Sequence, residues 1–142
     1  MESLLLSKYE TKDNNIDFLL RFKDRITFIN GDSGIGKTML FKAIERDTLV
    51  SKTNIICLNY DDLPSGNLEY TLNNARNKVI IIDNADVILS DNMKNQITFD
   101  DRNNQFIIFA HSTKGFLPTR NSITELVIKN NKGKLRYPLL KE

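Results

Sequence analysis

The stretch "INGDSGIGKT", Ile29–Thr38, is the most informative part of this 142-residue chain. It places Gly31, Gly34 and Gly36 immediately before Lys37 and a hydroxyl residue, and these are half of the chain's six glycines. Glycine lets a backbone curl tightly and lets other groups approach it closely. The cluster therefore predicts a loop that makes room for a bound group, and the rest of the chain must indicate which one.

The composition sets the class of protein. With 40% hydrophobic and 27% charged residues, the chain reads as a soluble globular protein, and its length predicts one domain over residues 1–142. No apolar run approaches the roughly 18 to 20 residues of a membrane span. The start, "MESLLLSKYE", has an acid at Glu2 and does not resemble a signal peptide, so we expect a cytoplasmic location.

Five short apolar runs recur along the chain, separated by polar stretches of helix length. Runs without polar alternation are typical of strands covered on both faces, so they predict a mainly parallel sheet flanked by helices. The runs are "RITFIN" (25–30), "NIICLNY" (54–60), "KVIIID" (78–83), "QFIIFA" (105–110) and "ITELVIK" (123–129). Helices are expected in "TMLFKAIERDTL", in "NLEYTLNNA" and in "SDNMKNQITF", which Ser90 would cap.

Two further pieces predict antiparallel strands at the margins of this five-stranded core. Upstream, "IDFLLRF" and "RITFIN" flank Lys23 and Asp24 with the spacing of a tight hairpin. Downstream, "TELVIK" and "KLRYPLL" flank "NNKG", and Pro138 restricts the last piece to an edge or to the end of a strand. The predicted fold class is therefore α/β.

The opening stretch satisfies the pattern G-x-x-x-x-G-K-[ST], the P-loop or Walker A motif. It follows a predicted strand and opens a predicted helix, which is the context that the motif requires. Backbone N–H groups and the helix N-terminus would cradle phosphates, while Lys37 reaches the β- and γ-phosphates and the Thr38 hydroxyl ligates Mg²⁺. Asp32 would point to solvent or brace the loop. The predicted lining is Gly31, Asp32, Ser33, Gly34, Ile35, Gly36, Lys37, Thr38 and Met39.

A carboxylate at the end of a buried strand is the second part of such a site. "VIIIDNAD" supplies Asp83 after four apolar residues and resembles a Walker B motif. Asp83 would hold Mg²⁺, directly or through a bound water, opposite Thr38.

On these motifs the chain resembles a P-loop NTPase from Ile16 to about Ile128. One strand lies between the two motif strands in sequence and another follows, as in the branch that includes ABC and AAA-type ATPases. That resemblance implies a three-layer α/β/α fold with the five core strands in the order 5-1-4-3-2, and Mg²⁺ and ATP as cofactors. ATP is expected rather than GTP because no "NKxD"-type segment is present.

The segment "FIIFAHS" looks like the switch-histidine segment of ABC ATPases, which implies a γ-phosphate contact for His111. Ser112 and Thr113 are the alternative sensors, and an ordinary surface or core role for the histidine is the other reading. In ABC domains an upstream aromatic stacks on the base; Tyr9 is a candidate here, with core packing as its alternative. The signature subdomain of ABC transporters is absent, because Asp61 to Lys78 is too short to contain it.

The residue after Asp83 departs from the family pattern. ATPases of this branch usually carry a glutamate there that polarises the attacking water, and this chain has Asn84. An amide has essentially no basicity, so Asn84 can orient a water but cannot act as a general base. Asp86 supplies another carboxylate nearby, at a reach that the sequence does not define.

Three functions remain open from the sequence. The first is a slow ATPase acting as a nucleotide-dependent switch, in which a protein partner or a second copy could contribute an arginine. The second is a non-catalytic ATP-binding module that presents a partner-binding surface, which Asn84 favours. The third is a small P-loop kinase, which would need an arginine-rich lid, and Arg102 and Arg120 are only scattered candidates.

Two other features call for an interpretation. The end of the chain is basic, and it predicts either a solvated hairpin or a patch for nucleic acid or another acidic partner. Its cations are Lys129, Lys132, Lys134, Arg136 and Lys141. The lone Cys57 lies in an apolar run, where we expect a structural thiol.

Overall fold

The fold is known from a computed structural model that describes residues 4–30, 35–51 and 53–140. Its strands are β1 (Lys8–Asp13), β2 (Ile16–Arg21), β3 (Ile26–Asn30), β4 (Ile55–Leu58), β5 (Val79–Ile82), β6 (Gln105–Phe109), β7 (Ile123–Lys129) and β8 (Lys132–Arg136). Its helices are α1 (Ile35–Val50), α2 (Asn67–Asn74), α3 (Ala85–Ile88) and α4 (Asp91–Thr98), with a 3-10 turn at Tyr60–Asp62. No helix in these described ranges is long and apolar enough to cross a membrane.

The described strands form one sheet of eight in the order β1-β2-β8-β7-β3-β6-β5-β4. The expected strand count, a five-stranded core with two marginal pieces, is therefore too low, and the order 5-1-4-3-2 does not describe the whole sheet. It applies to one part: the strands from the five predicted runs are consecutive, as β7-β3-β6-β5-β4, and each neighbouring pair is parallel.

The predicted pairing at the upstream margin is also wrong. β2 does not pair with β3, because both edges of β3 are taken by β6 and β7. It pairs instead with β1 in antiparallel and with β8 in parallel orientation, so the added strands are not all antiparallel. The downstream hairpin of β7 and β8 is antiparallel as expected, and β8 ends at Arg136, before Pro138.

Asparagine shapes both hairpin turns. Asn14 and Asn15, with φ of 48° and 64°, connect β1 to β2, and Asn130 and Asn131, with φ of 53° and 61°, connect β7 to β8. Two-residue hairpins favour turns with positive φ at both positions, which asparagine tolerates better than most residues. In the described ranges every non-glycine residue with positive φ is an asparagine: Asn14, Asn15, Asn77, Asn84, Asn103, Asn130 and Asn131.

Hydrophobic cores lie on both faces of the central strands, which gives three layers there. On one face Leu40, Phe41 and Ile44 of α1 pack in a core that also contains Ile81 of β5. On the other face α2, α3 and α4 pack in a core that contains Ile80 and Ile82 of β5. Successive side chains of a strand point to opposite faces, so β5 needs an unbroken apolar sequence.

The helices predicted from the sequence are present as α1, α2 and α4. At the start of α4 the Ser90 hydroxyl accepts a hydrogen bond from the Met93 N–H at 3.2 Å, which confirms the expected cap. The short helix α3, directly after the Walker B-like strand, was not expected. It places Asp86 close to the ends of neighbouring strands.

Candidate functional site

The carboxyl ends of the parallel strands bring predicted site residues together, as is general for open α/β sheets. Lys37 lies in the first turn of α1, Asp83 follows β5, and His111 follows β6 after Ala110. The Lys37 ammonium nitrogen lies 3.4 Å from both ring nitrogens of His111. A lysine has three donors and no acceptor, so it can donate to whichever ring nitrogen carries no proton. Lys37 and the histidine after β6 thus meet although 74 positions separate them.

Charge and burial perturb the two titrating groups on which the site depends. Burial lowers the pKa of Lys37, and the carboxylates of Asp86 and Asp83 oppose this by stabilising its charged form. Burial likewise raises the pKa of Asp83, while a hydrogen bond from the Asn84 backbone and the charge of Lys37 oppose that rise. Lys37, Asp83 and Asp86 therefore share one electrostatic environment.

Asp86 connects two turns of the site. Its carboxylate accepts the backbone N–H of His111 at 2.7 Å and that of Ser112 at 3.2 Å. The first turn of α3 thereby holds the backbone that carries His111. Sequence reasoning did not find this role, and no local pattern indicates it, since the partners are 25 and 26 positions apart.

Asn84 orients the carboxylate before it. It adopts a left-handed backbone conformation, with φ of 53°. Its backbone N–H donates to Asp83 Oδ1 at 3.0 Å and its side-chain amide donates to Asp83 Oδ2 at 3.4 Å. Both oxygens of Asp83 are thus contacted by the residue that replaces the usual glutamate.

Part of the predicted phosphate loop, Gly31, Asp32, Ser33 and Gly34, lies outside the described residues. Gly36 is described and has a packing role, because a Cβ there would lie 2.9 Å from Ile128 Cδ1. The absence of a side chain lets the start of α1 approach β7. Thr38 is exposed on the same turn, and Met39 packs against the core beneath α1.

A family comparison agrees with this geometry. The model of the ATPase family associated with various cellular activities, AAA, matches residues 27–141. The chain belongs to the AAA family. Its members are P-loop NTPases, and nucleotide binding and ATPase activity are what membership indicates. The match does not single out ABC proteins, so the switch-histidine resemblance stays a prediction. A comparison with curated proteins found no match.

The donors present suit the Mg²⁺ that AAA ATPases typically bind with ATP. Mg²⁺ prefers oxygen ligands, keeps several waters, and is usually held by one or two carboxylates together with substrate phosphates. Asp83 and Thr38 offer a carboxylate and a hydroxyl of this kind. In the part of the chain that the structure describes, no cluster of three or more His, Cys, Asp or Glu side chains could hold a metal by itself. The donor set therefore fits an ion that arrives with the nucleotide.

Tyr9 lies elsewhere in this AAA chain. Its hydroxyl donates to Asp47 Oδ2 at 2.7 Å, and its ring packs in the core beneath α1. Asp47 is ten residues beyond Lys37 on α1, about 15 Å along the helix axis. The structure therefore shows Tyr9 in a packing role, and base stacking by its ring stays a prediction.

The two arginines considered for a kinase lid lie at the opposite ends of the strands from the candidate site. Arg102 precedes β6 and donates to the Leu72 carbonyl at 2.9 Å. Arg120 precedes β7, next to Thr119, whose hydroxyl donates to Asp24 just before β3. Both arginines are thus near the amino ends of strands, and neither can cover phosphates at the carboxyl ends.

Cys57 is half-buried in β4, and burial raises the pKa of its thiol to about 12. The thiolate is the reactive form of cysteine, so this thiol is inert at neutral pH. This agrees with the structural role expected from the sequence.

Proposed function

We propose that this AAA-family chain, as one domain over residues 1–142, binds Mg²⁺ and ATP at the site described above and hydrolyses ATP slowly as a nucleotide-dependent switch. The observation that carries the proposal is the contact of the Lys37 ammonium with His111 at the ends of adjacent elements. Lys37 would neutralise the β- and γ-phosphates, and His111 would donate to a γ-phosphate oxygen. Thr38 and Asp83 would hold the magnesium ion, which supplies further charge neutralisation when bound.

Asp86 supports the switch part of the proposal. Because it accepts N–H groups from both His111 and Ser112, a displacement of His111 is transmitted to α3 and the turn after β5. Loss of the γ-phosphate would remove the ligand contacts of Lys37 and His111 together. The two turns would then shift as a unit, and a protein partner or a second copy could read that change.

Slow hydrolysis follows from the carboxylates present. Asn84 has no useful basicity, and its amide contacts Asp83 rather than extending away from it. Both oxygens of Asp86 accept backbone N–H groups, so this carboxylate is already engaged. General-base assistance is typically worth about 10²- to 10⁴-fold in rate, and a site without it is expected to be slower by that order.

The second candidate is a non-catalytic ATP-binding module. The observation that favours it is Asn84 itself, which donates from its amide nitrogen to Asp83 and has no basic group with which to activate a water. Bound ATP would then stabilise a surface for a partner without being cleaved.

Single-turnover cleavage of ATP, measured beside ATP binding, separates the two candidates. We expect slow cleavage by the wild type and a rate increase of roughly 100-fold in Asn84→Glu, with Asn84→Ala as the matched control that adds no base. Retained binding with no cleavage by the wild type, and activity appearing in Asn84→Glu, would establish the non-catalytic module instead. Repeating the assay over a range of protein concentrations tests whether a second copy contributes.

Lys37→Ala tests the site itself. We expect it to weaken ATP binding at least tenfold, about 1.4 kcal/mol, because a partly buried cation that would face the phosphates is lost. An ATP affinity equal to that of the wild type would show that the nucleotide does not bind where we place it.

A further inference from the structure

Four strands present a sheet face without a covering helix in the described structure. On their inner side, Tyr9, Phe18, Leu126 and Leu135 belong to the core beneath α1. The core beneath α2, α3 and α4 contains no residue of β1, β2, β7 or β8. The side chains that point away from α1 are therefore left toward solvent, and we call this surface the outer face.

The strand registers define the members of the outer face. Lys12 lies opposite Asp17, which lies opposite Lys132, and Lys132 in turn lies opposite Lys129. Alternate residues continue the same face along each strand. Its described members are Lys8, Glu10, Lys12, Asp17, Leu19, Arg21, Ile123, Glu125, Val127, Lys129, Lys132, Lys134 and Arg136.

This face is strongly basic. Among those described members seven carry a positive charge and three a negative one, whereas the whole chain has a net charge of only +2. The basic end of the sequence is thus joined by cations from β1 and β2, which lie more than a hundred positions earlier. Folding concentrates charge that is dispersed along the chain.

The acidic side chains on the outer face are already paired. Asp17 lies 3.9 Å from the Lys12 ammonium and 3.6 Å from that of Lys132. Glu125 pairs with Arg136 at 3.0 Å. Exposed pairs of this kind are weak and can be exchanged for a more highly charged partner.

The remaining cations are available to a ligand. Within the described ranges no ion pair involves Arg21, Lys129 or Lys134, and all three side chains are exposed. Lys132 lies on the same face, and its side chain is 73% exposed. Three cations outside any of these ion pairs and one exposed lysine that is paired with Asp17 thus lie on one surface.

The shape of the face suits an extended anion. A shallow cavity of about 560 Å³ lies over it; its lining includes the cations Lys12, Lys132 and Lys134 and the carboxylates Glu10 and Asp17. Lys132, Lys134 and Arg136 point outward from β8 at alternate positions, so they repeat about every 6.8 Å. Cations spaced regularly beside this cavity are complementary in charge to a polymer whose negative charges are also regularly spaced.

We propose that the outer face binds the sugar–phosphate backbone of duplex DNA without reading its sequence. Duplex DNA carries dense, regular phosphates, and cations that neutralise them gain affinity by releasing counterions. A surface for single strands normally adds aromatic side chains on which bases stack. None of the described members of the outer face is aromatic, so contacts to a duplex backbone are favoured. This inference is independent of the nucleotide site.

Fluorescence anisotropy with the full chain and a labelled 25-base-pair duplex of arbitrary sequence tests the proposal. With three to four phosphate contacts we expect binding to weaken roughly 40- to 150-fold between 50 and 200 mM salt. The double variant Lys129→Glu, Lys134→Glu should lose at least about tenfold in affinity at 50 mM salt. The control Arg76→Glu, Arg120→Glu makes the same change in net charge with exposed arginines outside the four strands, and it should keep the affinity within about twofold.

Several outcomes would overturn the proposal. These are no binding at 50 mM salt, equal losses in the two double variants, or tighter binding to a single strand of equal length or to anionic lipid vesicles. Far-ultraviolet circular dichroism checks that each variant folds. If the glutamate pair unfolds, the milder pair Lys129→Gln, Lys134→Gln is read in its place, and an unchanged affinity and salt dependence in that pair would also refute the inference.

Discussion

At the residue scale, the Asp86 carboxylate accepts the N–H groups of His111 and Ser112 and so fixes the turn that follows β6. Asp86 is a positioning residue on this geometry, because it acts on His111 through the backbone. The sequence pointed to Lys37 and Asp83 through local motifs, and to His111 through its place after a strand. Asp86 could not be assigned in that way, since its partners become neighbours only when β5 and β6 pair.

We predict that Asp86→Asn weakens the preference for ATP over ADP several-fold. An asparagine side chain has a single acceptor oxygen, so one of the two N–H groups loses its partner and His111 is no longer held toward the γ-phosphate. The affinities for ATP and ADP, measured by isothermal titration calorimetry, give the ratio. Asp101→Asn, a change at another exposed acid, should leave that ratio unaltered, whereas an equal loss of both affinities in Asp86→Asn would argue against positioning.

At the element scale, the central strands could be predicted because both of their faces are buried and their sequences are continuously apolar. β1 was missed, since its exposed positions are charged and its alternation resembles a polar segment. The Asn14–Asn15 pair in the sequence could have indicated the β1–β2 hairpin, because a tight hairpin turn needs two residues with positive φ. The pairing of β2 could not be predicted, since it depends on which strand edges are free after assembly.

Gly133 provides a test of how β2 and β8 pack. It lies opposite Phe18 in the parallel register, and a Cβ at this position would overlap the phenylalanine ring, 2.6 Å from Cε1. Phe18 is only 2% exposed, so its ring cannot move aside freely. We expect Gly133→Ala to lower the free energy of unfolding by about 1 to 3 kcal/mol, as overpacking does, measured by urea denaturation.

The matched control for this prediction is the next residue in the same strand. Lys134→Ala removes an exposed side chain and should change the free energy of unfolding by no more than about 0.5 kcal/mol. If Gly133→Ala were as stable as Lys134→Ala, the close approach of Phe18 to β8 would be incorrect.

At the scale of the whole molecule, the partly buried carboxyl group of Asp83 reduces the stability of the fold once it is ionised. Burial raises the pKa of Asp83 above its ordinary value of 3.8. At a pH between the pKa of Asp83 in the unfolded chain and its pKa in the folded chain, the folded chain retains a proton that the unfolded chain has lost. The free energy of unfolding therefore falls as pH rises through that interval.

We predict that Asp83→Asn removes this pH-dependent loss. Without nucleotide or magnesium, the variant should match the wild type in stability below about pH 3.8, apart from a constant offset, and should gain on it as pH rises. The gain should level off above the folded-state pKa and stay below about 1 kcal/mol, because Asp83 is only half-buried and solvent screens its charge. Urea denaturation at a series of pH values measures it, with Asp101→Asn as the control. A gain that is largest in acid and disappears near neutrality would contradict the burial of Asp83.

The sequence by itself determined the strand–loop–helix unit around Lys37, the five apolar strands and the carboxylate that ends one of them. These features depend on residues close together in the chain, where spacing and apolar periodicity are sufficient. Only the tertiary structure decided that β2 joins β8, that Asp86 holds the turn of His111, and that cations from both ends of the chain share the outer face. Those contacts depend on which backbone edges and polar groups remain unpaired once the central strands have assembled, and no local pattern encodes that outcome.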